Sequence, residues 1–207
     1  MKKPKLKICG MKYNTAEVAE LRPDYLGFVF YKLSPRFFDG VIPPIPSGIK
    51  KVGVFVDASV AEIAEKVKIH ELDIIQLHGE ESHQMCEKLI QNPRTAHIKI
   101  WKAFGVDDRF NFDRLPPFEP LVDKFLFDTK GKNKGGNGIT FNWEVLKKYP
   151  SEKPFVLSGG IGLQALPGLR LLLKTRLPIH AIDINSRFEK EPGRKNIDSL
   201  KQFMDEL

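Results

Sequence analysis

The stretch "KVGVFVDASVAEIAEKVKIHELDIIQLH", Lys51 to His78, decides the fold. It opens on a short apolar run, Lys51–Val56, and closes on a second, Asp73–His78. Between them Asp57 or Ser59 offers an N-cap, and apolar residues then recur at helical spacing as far as His70. Neither run alternates strictly between apolar and polar, which suits strands buried on both faces of a parallel sheet. Strand, helix and strand in that order form a parallel crossover unit.

The same rhythm extends in both directions. Upstream stand "KLKIC" (Lys5–Cys9) and "YLGFVF" (Tyr25–Phe30). Downstream stand "IKIWKAF" (Ile98–Phe104), "KFLFDT" (Lys124–Thr129), "PFVLSG" (Pro154–Gly159) and "AIDIN" (Ala181–Asn185). Candidate helices lie at Glu80–Gln91, Asn142–Pro150, Leu163–Thr175, where Pro167 and Gly168 interrupt, and Asn196–Leu207, capped by Asn196 or Asp198. Eight strand-length runs with helices between them predict an α/β fold, a (β/α)8 TIM barrel forming a single domain over residues 1–207. An open doubly wound sheet is the alternative, but no G-x-G-x-x-G follows the first strand.

The composition narrows the function classes. The 207 residues are 42% hydrophobic and 29% charged, ordinary globular values that argue against disorder. The longest apolar runs are too short to cross a bilayer, and the basic start "MKKPKLK" lacks the apolar core of a signal peptide. Cys9 and Cys86 stand far apart without metal-type spacing, so free thiols and a cytoplasmic location are expected. The net charge of +7 admits nucleic acid, an anionic membrane surface or an anionic small molecule. No nucleic-acid module is recognisable, so a non-catalytic nucleic-acid binder rests on charge alone.

In a barrel the chemistry sits at the C-terminal ends of the strands. Those ends carry Cys9-Gly10, the turn Ser34-Pro35-Arg36, Gln76 with His78, Asp128, "SGGIG" (Ser158–Gly162) and "DINSRFE" (Asp183–Glu189). The glycine loop with Gly159 and Gly160 can present backbone N–H groups to a phosphate, and Ser186 adds donors. A tight turn is the plainer reading of those glycines. "KGKNKGGNG", Lys130–Gly138, has the length of a lid. Cys9 and Asp128 are the groups best placed to exchange protons with a bound sugar, as base and acid. A lone cysteine is more often core, and a lone aspartate more often a cap or an ion-pair partner. The planar fork of Arg36 suits a carboxylate. His78 reads as a hydrogen-bonded barrel residue.

"KICGM", "GFVFYKLSPR", "VGVFVD", "IIQLHG", "FDTKGKNKGGNGITFNW", "SGGI" and "IDINSRFEKEPGRKN" together resemble the phosphoribosylanthranilate isomerases, in order and spacing, over nearly the whole chain. The resemblance implies an Amadori rearrangement in tryptophan biosynthesis, which converts N-(5-phosphoribosyl)anthranilate to 1-(2-carboxyphenylamino)-1-deoxyribulose 5-phosphate. No metal or organic cofactor is implied. Cys9 matches the general base and Asp128 the general acid. Arg36 matches the residue facing the anthranilate carboxylate, and Asp183 and Gly136 match substrate contacts. Gly159, Gly160, Asn185 and Ser186 match the phosphate grip. Gly10 is expected to leave room for substrate. The implied partner is this small molecule, not nucleic acid or a membrane, on a monomer or homodimer. The chain departs from the family at Asn185 and Arg187, where two serines and a glycine are usual, and at Asn137 and Asn142. A histidine-pathway isomerase performs a similar step with an aspartate in place of Cys9, and a bifunctional isomerase stays open.

Overall fold

A computed structural model describes residues 4–129 and 142–207. Eight parallel strands close into a barrel in chain order, β1 beside β2 and so on round to β8 beside β1. They are β1 (Lys5–Cys9), β2 (Tyr25–Val29), β3 (Lys50–Phe55), β4 (Ile74–Leu77), β5 (Lys99–Val106), β6 (Lys124–Thr129), β7 (Phe155–Leu157) and β8 (Ile179–Ile184). Each predicted strand is present, within a few residues of its expected bounds.

Period-two alternation divides the side chains. One set, including Ile8, Leu26, Phe28, Ile75, Phe125, Phe127 and Ile182, packs outward under the helices. The other fills the barrel with Tyr25, Val52, Ile74, Trp101, Ala103, Leu126, Val156 and Ala181. Both sets are largely apolar, which is why the strands read as continuous apolar runs, but Lys7, Gln76 and Asp183 are buried with the inner set.

The outer layer is less regular than the rhythm predicted. The α-helices are α1 (Thr15–Ala19), α2 (Val60–His70), α3 (His83–Gln91), α4 (Leu166–Leu173) and α5 (Ile197–Glu206). Ser59, not Asp57, caps α2, in a reciprocal capping box with Glu62. Asn196 caps α5 by accepting from the Ser199 N–H. Pro167 sits in the first turn of α4, where its missing N–H costs nothing, so it opens that helix and does not break it. The segment expected as a helix after β6 is a 3-10 turn, Trp143–Lys148, with Asn142 capping it. The connection from β2 to β3, which carries "IPPIPSG", is without helix, as the prolines require. After β8 the chain forms a two-stranded hairpin, β9 (Glu189–Glu191) and β10 (Arg194–Lys195). Gly193, at φ +88°, serves its turn. Among the described residues no helix is long and apolar enough to cross a membrane.

Candidate active site

The C-terminal ends of the strands enclose a cavity of about 750 Å3. Its lining includes Cys9, Arg36, Gln76, His78, Asp128, Ser158, Gly159, Gly160, Asp183, Asn185 and Ser186. Every predicted site residue within the described residues therefore borders one space. Gly136 and the proposed lid lie outside the described residues.

Cys9 closes β1 with only 6% of its surface exposed. Two residues earlier, on the same face, stands Lys7, which is fully buried. Its ammonium donates to both carboxylate oxygens of Asp183, at 3.0 and 2.9 Å, across the β1–β8 pairing that sets these residues opposite each other. Gly27, on β2, makes the space for this group. A side chain there would meet Cys9 Sγ at 2.8 Å and Lys7 Nζ at 3.1 Å. Burial pushes the Cys9 thiol above its ordinary pKa, Lys7 pulls it down, and Asp183 pushes it further up. Burial works against the Lys7 ammonium, but Asp183 and Cys9 outweigh it and hold the Lys7 pKa above its usual value.

Asp128 ends β6 across the cavity. Its Oδ1 accepts from the Thr129 N–H at 2.9 Å, and its Oδ2 lies 3.2 Å from His78 Nε2. Gln76, two residues before His78, reaches His78 Nδ1 at 2.8 Å. His78 is hydrogen-bonded as expected, and its two contacts bridge the buried Gln76 amide to Asp128.

Arg36 sits in a turn where its own N–H donates to Ser34 Oγ at 3.1 Å. Its Nε and Nη2 donate to the Glu189 carboxylate, at 2.9 Å for Nε–Oε1 and 2.6 Å for Nη2–Oε2. The two-pronged edge of Arg36, expected to meet a ligand carboxylate, faces Glu189. Lys195, fully buried, donates to Glu189 at 2.8 Å and to Asn185 Oδ1 at 2.7 Å. Burial brings the Lys195 pKa down to about 8, with Glu189 pulling the other way. The Arg36 and Lys195 cations keep Glu189 below the usual glutamate value although burial opposes them.

Gly10 has φ +75°, and a side chain there would meet Asn185 Oδ1 at 2.6 Å and Arg36 Cδ at 2.7 Å. The room it leaves is taken by the side chains of Asn185 and Arg36, both of which border the cavity. Gly159, at φ +96°, lies so close to the end of β6 that a Cβ would strike the Thr129 backbone N at 2.5 Å. The glycine loop is held tightly against β6. Arg187 is exposed. Cys86 lies on the buried face of α3, where burial raises its thiol to about 11.

The residues that sequence reasoning missed are Lys7, Gly27, Glu189 and Lys195. A lysine inside an apolar strand was a usable signal for the first, because a buried ammonium requires a carboxylate. The Pro192-Gly193 pair was a turn signal for the hairpin that carries the last two.

Against known proteins, residues 6–206 match the family model described as N-(5'phosphoribosyl)anthranilate (PRA) isomerase. An N-(5'-phosphoribosyl)anthranilate isomerase of Parabacteroides distasonis is 38% identical over 98% of this chain and 92% of its own length. The crystal structure of phosphoribosyl anthranilate isomerase from Thermotoga maritima superposes with a TM-score of 0.81 at 29% identity, covering 99% of this chain and 98% of that one. A second phosphoribosyl anthranilate isomerase structure, in complex with reduced 1-(o-carboxyphenylamino)-1-deoxyribulose 5-phosphate, gives 0.77 at 27% identity, with 99% and 98% covered. With a model match across nearly all its length and a curated relative above 30% identity, this chain belongs to the N-(5'-phosphoribosyl)anthranilate isomerase family.

Proposed function

We propose that the cavity at the C-terminal ends of the strands isomerises N-(5-phosphoribosyl)anthranilate to 1-(2-carboxyphenylamino)-1-deoxyribulose 5-phosphate, with Asp128 as general acid and Cys9 as general base. The observation that carries this reading is the meeting of Cys9, Asp128, Arg36 and the Gly159-Gly160 and Asn185-Ser186 loops around one space in a chain of this family. Asp128, as the acid, gives its proton to the furanose ring oxygen. The C1–O bond breaks, and the nitrogen lone pair forms the C1=N bond of a Schiff base. The Cys9 thiolate then takes the C2 proton. The released electron pair forms the C1=C2 bond of an enolamine and neutralises the nitrogen. The enolamine shifts a proton to C1 and leaves the C2 ketone, so atoms balance without any co-reactant.

A buried thiol is a poor base unless a cation favours its thiolate. Lys7 is that cation, and Asp183 is the anchor that keeps it beside Cys9. His78 is a positioning residue for Asp128. Gly159, Gly160, Asn185 and Ser186 form the phosphate end. Because Glu189 holds Nε and Nη2 of Arg36, the anthranilate carboxylate meets the guanidinium through Nη1. Gly136, beyond the described residues, completes the substrate contacts in this reading.

The test is the loss of substrate fluorescence on adding purified protein, with the substrate made in place and Cys9→Ala and Asp128→Asn run alongside. Fast loss with the wild-type chain, and loss slowed by orders of magnitude in both variants, supports the assignment. Near wild-type turnover in both variants would remove it.

A further inference from the structure

At the opposite end of the barrel lies a second cavity, of about 790 Å3, which the proposed reaction does not use. Strand starts build its rim. Lys5, Lys50, Lys99 and Lys124 are the first residues of β1, β3, β5 and β6. Each precedes by two positions a residue that fills the barrel, namely Lys7, Val52, Trp101 and Leu126, so strand alternation turns all four toward the axis. All four line the cavity.

The lining carries two carboxylates, Asp73 and Glu71, against five lysines and an arginine, and Glu71 lies 3.2 Å from Lys51. Lys50 pairs with Asp73 at 2.8 Å, and Lys5 reaches Asp24 only at 4.0 Å. Among the described residues Lys99 and Lys124 have no carboxylate within ion-pair distance of their amines. The cations act on one another. Burial first, then Lys99, Lys153 and Lys5, hold the Lys124 ammonium below the usual lysine value against the pull of Asp123. His180, hydrogen-bonded to the Tyr25 hydroxyl at 2.8 Å, also faces Lys124, Lys5, Asp24 and Lys99. Trp101 lines the same space at 1% exposure, and its indole N–H is buried with no partner among the described residues.

We propose that this N-terminal mouth binds a compact, multiply charged anion of the polyphosphate class, gripped by Lys5, Lys99 and Lys124. Amines spread around a barrel mouth need several anionic oxygens, which a single carboxylate does not supply. A second copy of the chain is the poorer occupant, because two such mouths face to face would oppose lysine to lysine.

The experiment uses the full chain in a Trp143→Phe background, which leaves Trp101 as its one fluorophore of that type. Tripolyphosphate is titrated at physiological salt, with a nucleoside triphosphate as a second arm to separate bare polyphosphate from a phosphorylated organic anion. The expected result is a saturable Trp101 response. In Lys99→Gln/Lys124→Gln the affinity falls at least tenfold while the isomerase KM stays unchanged. The His180 ring, followed by proton NMR, should titrate at higher pH with the anion present, and not in the double variant. Equal affinity in the double variant overturns the proposal. So does a response that disappears when the isomerase substrate saturates the other cavity, or one that coincides with dimer formation in sedimentation.

Discussion

Lys7→Met removes an ammonium whose carboxylate partner, Asp183, is 5% exposed. Breaking a buried pair from one side costs roughly 3–5 kcal/mol, since the remaining charge is left without compensation. The chain has one escape, which is to protonate Asp183. From an ordinary aspartate pKa near 3.9, that costs about 1.36 kcal/mol per pH unit, or about 4 kcal/mol at pH 7 and about 1.5 kcal/mol at pH 5. The two routes agree at neutral pH, and the second sets a ceiling that falls with acidity. Lys7→Met should therefore lose about 3–4 kcal/mol at pH 7 and less than half of that at pH 5, by urea unfolding monitored at both values. Lys7→Met/Asp183→Asn removes both charges and should recover most of the loss.

The same variant tests the chemistry. Lys7 is the largest influence that lowers the Cys9 pKa, so its removal leaves burial to push the thiol higher, whether or not Asp183 keeps its charge. A base acts when deprotonated, and the acid limb of the kcat/KM profile should move to higher pH. Two results would refute this reasoning. One is a stability loss below about 1 kcal/mol, or one equal at pH 5 and pH 7, which means that Asp183 carries no unpaired charge. The other is an acid limb that stays in place, which means that Lys7 does not govern the thiolate.

Four further outcomes follow from the same contacts. Gly27→Ala puts a Cβ against Cys9 Sγ and Lys7 Nζ, so kcat should fall at least tenfold with KM little changed, read by substrate-fluorescence kinetics. Gly10→Ala combines a left-handed backbone with displacement of Arg36 and Asn185, so it should raise KM more than it lowers kcat, at about 1–3 kcal/mol of stability. Glu189→Gln frees the forked edge of Arg36 and strands buried Lys195, so KM should rise and Tm should fall, with the Tm loss shrinking as pH rises toward 8, because Lys195 without Glu189 sheds its proton at lower pH than in the wild-type chain. Burial and the lysines of the N-terminal mouth hold His180 at about 4, against an ordinary 6.5. The folded chain thus binds fewer protons than the unfolded one between those values, and stability present above pH 6.5 is lost as pH falls toward 4. His180→Gln should flatten that acid limb, seen as a smaller Tm difference between pH 7 and pH 5.

The strands were legible because burial on both faces writes the same apolar run eight times, and strand ends in a parallel barrel all point to one mouth. Cys9, Asp128 and Ser158 could therefore be gathered from their positions in runs, without knowing which strand neighbours which. The helices were less legible, because a surface turn tolerates several geometries. Asn142–Pro150 keeps a capping residue and an apolar pair and still forms a 3-10 turn. What the runs cannot carry is register. Lys7 and Asp183 stand 176 residues apart and meet only because β8 closes onto β1 with these two residues opposite. Glu189 reaches Arg36 only because the chain turns back in a hairpin after β8. In both pairs one member was singled out from sequence, and its environment was not. A strand-end aspartate and an arginine after a Ser-Pro turn are visible as reactive types, but the buried cation or carboxylate that sets each one's charge lies across a closure made in three dimensions. The consequence is specific to this site. Cys9 at a strand end was readable as a thiol, but whether that thiol can be a base depends on Lys7, which depends on Asp183, so the chemistry of the first strand is fixed by the last.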